Sequence, residues 1–309
     1  MSALPLVAVP PVPAGGQITL PGVAKPLRLS HSRKQTMLTC GRKYRYVYVD
    51  RLESDAASYS LPFGGAAHTA LAQYVTAHAF GAYVDPAEAF VRAWTEQTKR
   101  PIAYSSIWSE EGCRLSGIKL MEQFRDKWAE LGWKAALDKD GIPIVERELH
   151  VLLPGGVVYI AIIDAIVVTP DGRILVIDFK TPGDASMPTF AAISDQLLGY
   201  QVAVNANRET LGLPRDVDGL VFFELVKRPI PKTKSGTGPH IVVSEPAPPR
   251  SRQDIDEWIR ECQFVARDIR DQRFARRPMD SYCTPCELCD FMSHCHSGIG
   301  HGLKARTFS

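Results

Sequence analysis

Asp178 and Lys180 stand two residues apart at the end of an apolar run, Ile174-Leu-Val-Ile-Asp-Phe-Lys180. In a β-strand, residues i and i+2 project from the same face. A carboxylate and an ammonium therefore meet at one spot on the edge of a core, where burying either alone is costly. A third charge joins them. Thr169-Pro-Asp-Gly-Arg173 has the residues of a three-residue hairpin loop, a type I turn closed by a left-handed Gly172. With Thr169 paired to Arg173, counting back along both strands sets Asp164 opposite Asp178. Directly opposed carboxylates, with Cβ atoms roughly 4.5–5.5 Å apart, repel. A divalent cation between them removes that penalty, and two Asp oxygens suit hard Mg2+ or Mn2+. Lys180 beside such an ion could orient or activate a water and neutralise charge developing on a phosphate. The competing reading is a structural ion pair at a strand end. The hairpin alone leaves both open.

These residues need a sheet to hold them. Residues 144–153, 157–169 and 174–180 read as three strands, followed by a helix over about 188–207 and further strands over 219–226 and 240–244. The Pro-, Gly- and Lys-rich stretch between those last strands is a loop. Upstream, 66–80 reads as a helix with His68, Leu71, Ala72 and Val75 on one stripe, and 86–132 as helical pieces. Residues 27–49 hold a short helix around Cys40. Residues 253–271 form a long amphipathic helix with Ile255, Trp258, Ile259, Cys262, Val265, Ala266 and Ile269 on one side. Helices, then a hairpin, then β-helix-β give an α/β fold: a central mixed sheet flanked by helices.

The 309 residues, 45% hydrophobic and 23% charged, suffice for a sizeable core, and a net charge of +2 does not by itself identify a nucleic-acid binder. The distribution says more. Eight lysines or arginines lie between Lys25 and Arg51 against one acid, Asp50, and Tyr44, Tyr46 and Tyr48 interleave the second half. Positive charge among aromatic faces suits a phosphate backbone with stackable bases, which makes Arg42, Lys43, Tyr44 and Arg45 candidate nucleic-acid contacts. A solvated basic face is the alternative. The proline-broken N-terminus lacks the pattern of a targeting segment, and no window has the length of a membrane helix. The expectation is a cytoplasmic chain without a membrane partner, whose seven cysteines serve metal or redox chemistry rather than disulfides.

Asp164 followed by Asp178-Phe-Lys180 on an apolar strand resembles the PD-(D/E)XK nuclease signature. The surroundings narrow the resemblance to RecB-like nucleases, which include the RecB and AddB nuclease domains and the CRISPR-associated exonucleases. Phe63-Gly-Gly-Ala-Ala-His68 matches that family's upstream His, and Gln196 and Tyr200 match its Q-x-x-x-Y motif. Ala161 stands where the family often has Gly. The resemblance spans about residues 28–296 and implies a restriction-endonuclease-like core. It implies a metal held by His68, Asp164, Asp178 and the Phe179 carbonyl, with Lys180, Gln196 and Tyr200 completing the catalytic set. Glu146 and Glu148 precede Asp164 on the neighbouring strand. Either could be an auxiliary acid, or neither; alternation does not choose.

Cys283, Cys286, Cys289 and Cys295 crowd the C-terminal segment. So dense a set of thiols is a metal site, and structural Zn2+ and an iron–sulfur cluster both take four cysteines. The run Cys286-x2-Cys289-x5-Cys295 with a distant Cys40 resembles the iron–sulfur staple of the AddB and CRISPR-associated branches. The resemblance implies a 4Fe–4S cluster on Cys40, Cys286, Cys289 and Cys295, stapling the N- and C-terminal segments. Cys283 in place of Cys40 would give a local zinc site instead. Cys113 and Cys262 lie on apolar helix faces and read as core.

The expected organisation is a flexible lead-in over 1–26 and one nuclease domain over 27–298, then a tail over 299–309. Within the domain are a helical insertion at about 85–135 and a cluster-binding segment at 280–298. The resemblance implies a metal-dependent DNA exonuclease acting on single strands or ends, in recombination, repair or CRISPR-type processing, with a helicase or recombination protein as partner. A catalytically silent DNA-end-binding or scaffold subunit is the alternative, against which the intact Asp164, Asp178 and Lys180 speak.

Overall fold

A computed structural model describes residues 6–10, 26–233, 235–277 and 285–306. Among the described residues eight strands form one mixed sheet: β1 (Val7–Val9), β2 (Leu27–Ser30), β3 (Lys134–Ala135), β4 (Val145–Leu153), β5 (Val157–Val168), β6 (Ile174–Lys180), β7 (Gly219–Val226) and β8 (His240–Val243). The order is β1-β4-β5-β6-β7-β8, and β2 and β3 both pair with β5. The β6–β7 and β2–β5 pairs are parallel; the others are antiparallel. β5, twelve residues long, takes two partners on each edge. Along one edge β2 ends at Ile160 and β6 begins at Ala165. Residues 161–164 thus have no ladder partner on that edge, and Asp164 lies in the opening.

The hairpin has the expected register. Val168 pairs with Ile174 and Ala165 with Ile177, and Gly172, at φ 82°, closes the turn with its N–H donating to the Thr169 carbonyl. Only a residue without Cβ enters that left-handed turn at little cost.

Helices cover both faces. On one lie α1 (His31–Thr39), α5 (Asp195–Ala206) and α6 (Arg252–Arg270); on the other lie α2 (Ser60–Ala79), α3 (Pro86–Gln97) and α4 (Glu110–Leu131). Each boundary has a local cause. Asp85 caps α3 with Pro86 in the first turn, Ser109 caps α4, Gly132 at φ 63° ends it, and Ser251 and Asp254 form a capping box on α6. The α2–α4 face is aromatic, with Phe63, Phe90, Trp94, Phe124 and Trp128 packed against Phe179 and Phe223 of the sheet. The opposite face packs Leu197, Val204, Trp258 and Val265 on Tyr159, Val176 and Phe222. Cys113 and Cys262 are fully buried core residues, as their helical positions indicated.

Three segments depart from the sequence reading. The stretch 188–207 is not one helix. A short helical turn, Phe190–Ile193, stops at extended Ser194, whose hydroxyl caps α5. Phe190 and Ile193 therefore leave the apolar stripe of α5 and are exposed. Around Cys40 the chain also breaks: α1 ends at Cys40, which is extended, before a helical turn Gly41–Tyr44 and a wider π-helical turn Arg45–Val49. Finally, β1 lies in the segment read as a flexible lead-in, and Leu303–Ala305, in the segment read as a tail, pairs with Leu52–Ser54. Among the described residues no helix is long and apolar enough to cross a membrane.

Candidate active site

The side-chain alternation of β5 slips at Asp164. Tyr159, Ala161 and Ile163 pack on the α5–α6 face, whereas Ala165 and Val167 pack on the α2–α4 face. The partner strand is irregular at the same level. Val145 pairs with Ala165 and Arg147 with Ile163, so Glu146 stands opposite Asp164, and its backbone has a left-handed φ of 47°. For a residue with a Cβ this conformation costs about 1–2 kcal/mol.

His68 reaches this point from α2. Its Nδ1 lies 3.5 Å from Glu146 Oε1 and 3.6 Å from Asp164 Oδ1. Ligand atoms of His68, Glu146 and Asp164 all fall within 4.8 Å of one another, the one such group of three among the described residues. The structure thus chooses Glu146 over Glu148, which instead meets His150 at 2.6 Å.

Asp164 is 5% exposed and its Oδ2 accepts the Phe179 N–H at 2.6 Å, so the side chain takes a backbone donor just beyond the ladder's end. Burial and the neighbouring Asp178 raise its pKa to about 8, well outside the ordinary carboxylate range. Burial alone would lower that of His68, but the hydrogen bond to Glu146 and the charge of Asp164 outweigh it and raise it.

Asp178, 1% exposed, belongs to a second network on the same spot. Lys180 Nζ lies 2.8 Å from Asp178 Oδ2. The Gln196 amide ties the pair together: its Oε1 accepts from Lys180 Nζ at 2.8 Å, and its Nε2 donates to Asp178 Oδ1 at 3.1 Å and to the Tyr200 hydroxyl at 2.9 Å. Asp178 is not in the 4.8 Å group; Lys180 and Gln196 contact its carboxylate, and its charge acts on Asp164 and His68.

A buried cation positions Gln196. Lys34 of α1 is fully buried, donating to Asp195 and, at 2.9 Å, to Glu261 Oε2. His31 Nδ1 contacts the other Asp195 oxygen at 3.1 Å. Burial would raise the Asp195 pKa; His31 and Lys34 overcome that and bring it down to about 2. The residue after Asp195 is Gln196, so this anchor fixes the first turn of α5. Gly199 sets the depth of the same helix, since a Cβ there would lie 2.2 Å from the Tyr159 hydroxyl. Sequence reasoning missed this anchor; the signal was Lys34 at the core-facing position of an otherwise polar helix.

The basic segment needs one correction. Tyr44 is 2% exposed, stacked on Phe274 at 5.9 Å and against Tyr48 at 4.9 Å, so its faces are covered and no base can stack on it. Arg42 Nε donates to the Phe274 carbonyl, Arg45 is exposed beside Asp50, and Lys43 is half-buried. This segment packs on the C-terminal one: Tyr46 lies 5.5 Å from the Phe291 ring and 5.0 Å from His294. Cys40, Cys286, Cys289 and Cys295 are all half-buried. They form no three-ligand group within 4.8 Å, and Cys283 lies outside the described residues. Burial raises the Cys289 pKa, and Cys286 and Cys40 add to the rise.

A family model described as the PD-(D/E)XK nuclease superfamily matches residues 28–296. The chain belongs to that superfamily. No curated protein sequence matches it. A solved structure titled "Crystal structure of SSO0001" is similar over 84% of this chain and 93% of that one, at 12% identity and a TM-score of 0.33, too distant to carry an argument.

Proposed function

We propose that this member of the PD-(D/E)XK nuclease superfamily is a metal-dependent DNA exonuclease acting on single strands or ends. The observation that carries the reading is the convergence of His68, Glu146 and Asp164 beside the Asp178–Lys180–Gln196 network. Two buried carboxylates with a third at their edge are costly without a cation. One nitrogen and several carboxylate oxygens suit Mn2+ or Mg2+. His68, Asp164 and Glu146 would hold the ion, with Asp178 and the Phe179 carbonyl completing the set. When bound, it supplies a Lewis acid for a phosphate oxygen and lowers the pKa of a water.

The chain's own residues do the rest. Lys180, half-exposed at the mouth of the site, places an ammonium where a phosphate arrives and orients the attacking water. Gln196 fixes the Lys180 rotamer through an accepted hydrogen bond, and Tyr200 fixes Gln196. Arg45 and Lys43 supply phosphate contacts further along the strand. The cost of keeping Asp164 and Asp178 buried together speaks against a silent scaffold.

A 4Fe–4S cluster on Cys40, Cys286, Cys289 and Cys295 is part of the same proposal. The packing of Tyr46 on Phe291 and His294, and the electrostatic reach of Cys40 and Cys286 to Cys289, support it. When bound, the cluster would tie α1, and through Lys34 the Gln196 helix, to the C-terminal segment.

The test is digestion of end-labelled single- and double-stranded DNA with Mn2+, Mg2+ or EDTA. Metal-dependent release of short products from ends is expected. No cleavage of either substrate in either metal would overturn the reading.

A further inference from the structure

We propose that a cavity beside Lys180 is a nucleobase subsite, which seats the unpaired base next to the scissile phosphate by stacking it on Phe190. The proposal rests on the nuclease reading and goes beyond it, because it assigns a base-binding element to a site otherwise built for phosphate.

The cavity, about 440 Å³, opens at the C-terminal ends of the parallel strands β6 and β7. That volume lies in the range of about 300–1,000 Å³ typical of small-ligand sites. Register sets its floor: Phe222 pairs with Asp178 and Glu224 with Lys180, so all four share one face of the sheet. The Lys180 ammonium stands 5.9 Å from the Phe222 ring centroid and lines the cavity. A group in the cavity is therefore next to the catalytic lysine.

Phe190 forms the wall. It stacks on Phe222 with centroids 5.4 Å apart and planes 15° from parallel, yet it is 41% exposed. The break at Ser194 puts it there; a continuous helix would have turned it into the core stripe of α5. The preceding loop is tied to β7, since both Glu224 carboxylate oxygens accept the Ser186 N–H, at 3.1 and 3.2 Å. An exposed aromatic backed by a second, parallel ring is a platform that a flat π-system extends.

Charge selects a base over a phosphate. Glu224, buried, lines the cavity with Lys180 and Lys227, but Lys180 is paired with Asp178 and Lys227 Nζ already donates to the Thr181 carbonyl at 2.5 Å; Asp184 at the rim is paired with Arg228. A phosphate there would meet the buried Glu224 carboxylate and two ammonium groups already engaged, whereas a neutral ring carrying donor groups brings no charge to repel. A base in a duplex is stacked between neighbours and cannot enter, so this subsite selects unpaired nucleotides.

The test compares oligothymidylate with an abasic oligomer of the same phosphate count, for wild type, Phe190→Ala and Phe190→Trp. Binding is read by fluorescence anisotropy in EDTA and cleavage by product release in Mn2+. Wild type should prefer oligothymidylate by roughly ten- to a hundred-fold, the range of one base–aromatic stack. Phe190→Ala should lose most of that preference while handling the abasic oligomer as wild type does, and Phe190→Trp should keep it. 2-Aminopurine fluorescence should be quenched on binding to wild type and recover in Phe190→Ala. Equal loss on both oligomers in a folded Phe190→Ala, or an unchanged preference, overturns the subsite alone. No binding or cleavage of either oligomer by wild type that does cleave end-labelled duplex overturns the subsite alone, whereas no cleavage of oligomer or duplex overturns the nuclease reading and the subsite with it.

Discussion

Glu146 stands opposite Asp164 at the level where the side-chain alternation of β5 slips, and it does so with a left-handed backbone. A strand normally keeps opposed carboxylates apart or replaces one of them. Here the irregularity brings both to His68.

Glu146→Gly should separate stability from activity. Glycine relieves the φ of 47° and the repulsion with Asp164, so equilibrium denaturation should show no loss, and a gain of about 1 kcal/mol is expected. Cleavage should nevertheless fall at least tenfold. A variant both less stable and fully active would remove Glu146 from the site.

Asp178→Asn and Lys180→Ala should each lower cleavage by about a hundredfold or more, the range for losing a charge aimed at the transition state. DNA binding in EDTA should change little. Near-wild-type cleavage by either variant in Mn2+ would show that the Gln196-linked pair is a structural strand-end bridge.

Metal binding should be pH-linked with a defined sign. The Asp164 pKa is raised in the folded protein, so the metal-free fold gains from the retained proton at low pH and loses that gain as pH rises towards about 8. The Tm of metal-free protein should therefore fall between pH 5 and 8 relative to Asp164→Asn. Mn2+, which displaces the proton, should stabilise most at the alkaline end. Calorimetry in buffers of different ionisation enthalpy should register proton release on Mn2+ binding, and its absence would contradict the assignment.

Lys34→Met should cost about 1–2 kcal/mol, since Asp195 and Glu261 lose their ammonium but remain partly open to water. Asp195 has a depressed pKa, so its contribution is present above the unfolded value and lost as pH falls towards about 2. In Lys34→Met that acid limb should move to higher pH. Cleavage should fall several-fold while Mn2+ affinity holds, because the anchor positions Gln196 rather than the ligands. A matching drop in Mn2+ affinity would contradict that separation.

Anaerobically purified protein should be brown, with about four irons per chain as expected for four cysteine ligands. Cys40→Ala should strip iron and lower Tm, whereas Cys113→Ala should leave the iron content unchanged. Colourless protein with one zinc and a harmless Cys40→Ala would refute the cluster and leave the nuclease reading standing.

The sequence by itself determined the hairpin and much of the chemistry it carries. Pro170-Asp-Gly172 suits a type I turn closed by glycine, the turn sets the register, and strand periodicity then puts Asp178 beside Lys180 on one face. Helical spacing likewise placed Gln196 one turn from Tyr200 and sent Cys113 and Cys262 into the core. Tertiary structure decided the rest. Periodicity cannot register a slip in alternation, so the choice of Glu146 over Glu148 waited on the irregular level at Asp164. The break at Ser194 came from a side-chain cap winning over helix continuation, and it alone exposes Phe190. Tyr44 looked like a base-stacking residue because composition counts aromatic faces without knowing what covers them, and Phe274, far along the chain, covers this one. Lys34 read as one more basic residue on a polar helix. Its role appeared only when folding brought Asp195 and Glu261, both distant in sequence, within hydrogen-bonding reach of its ammonium.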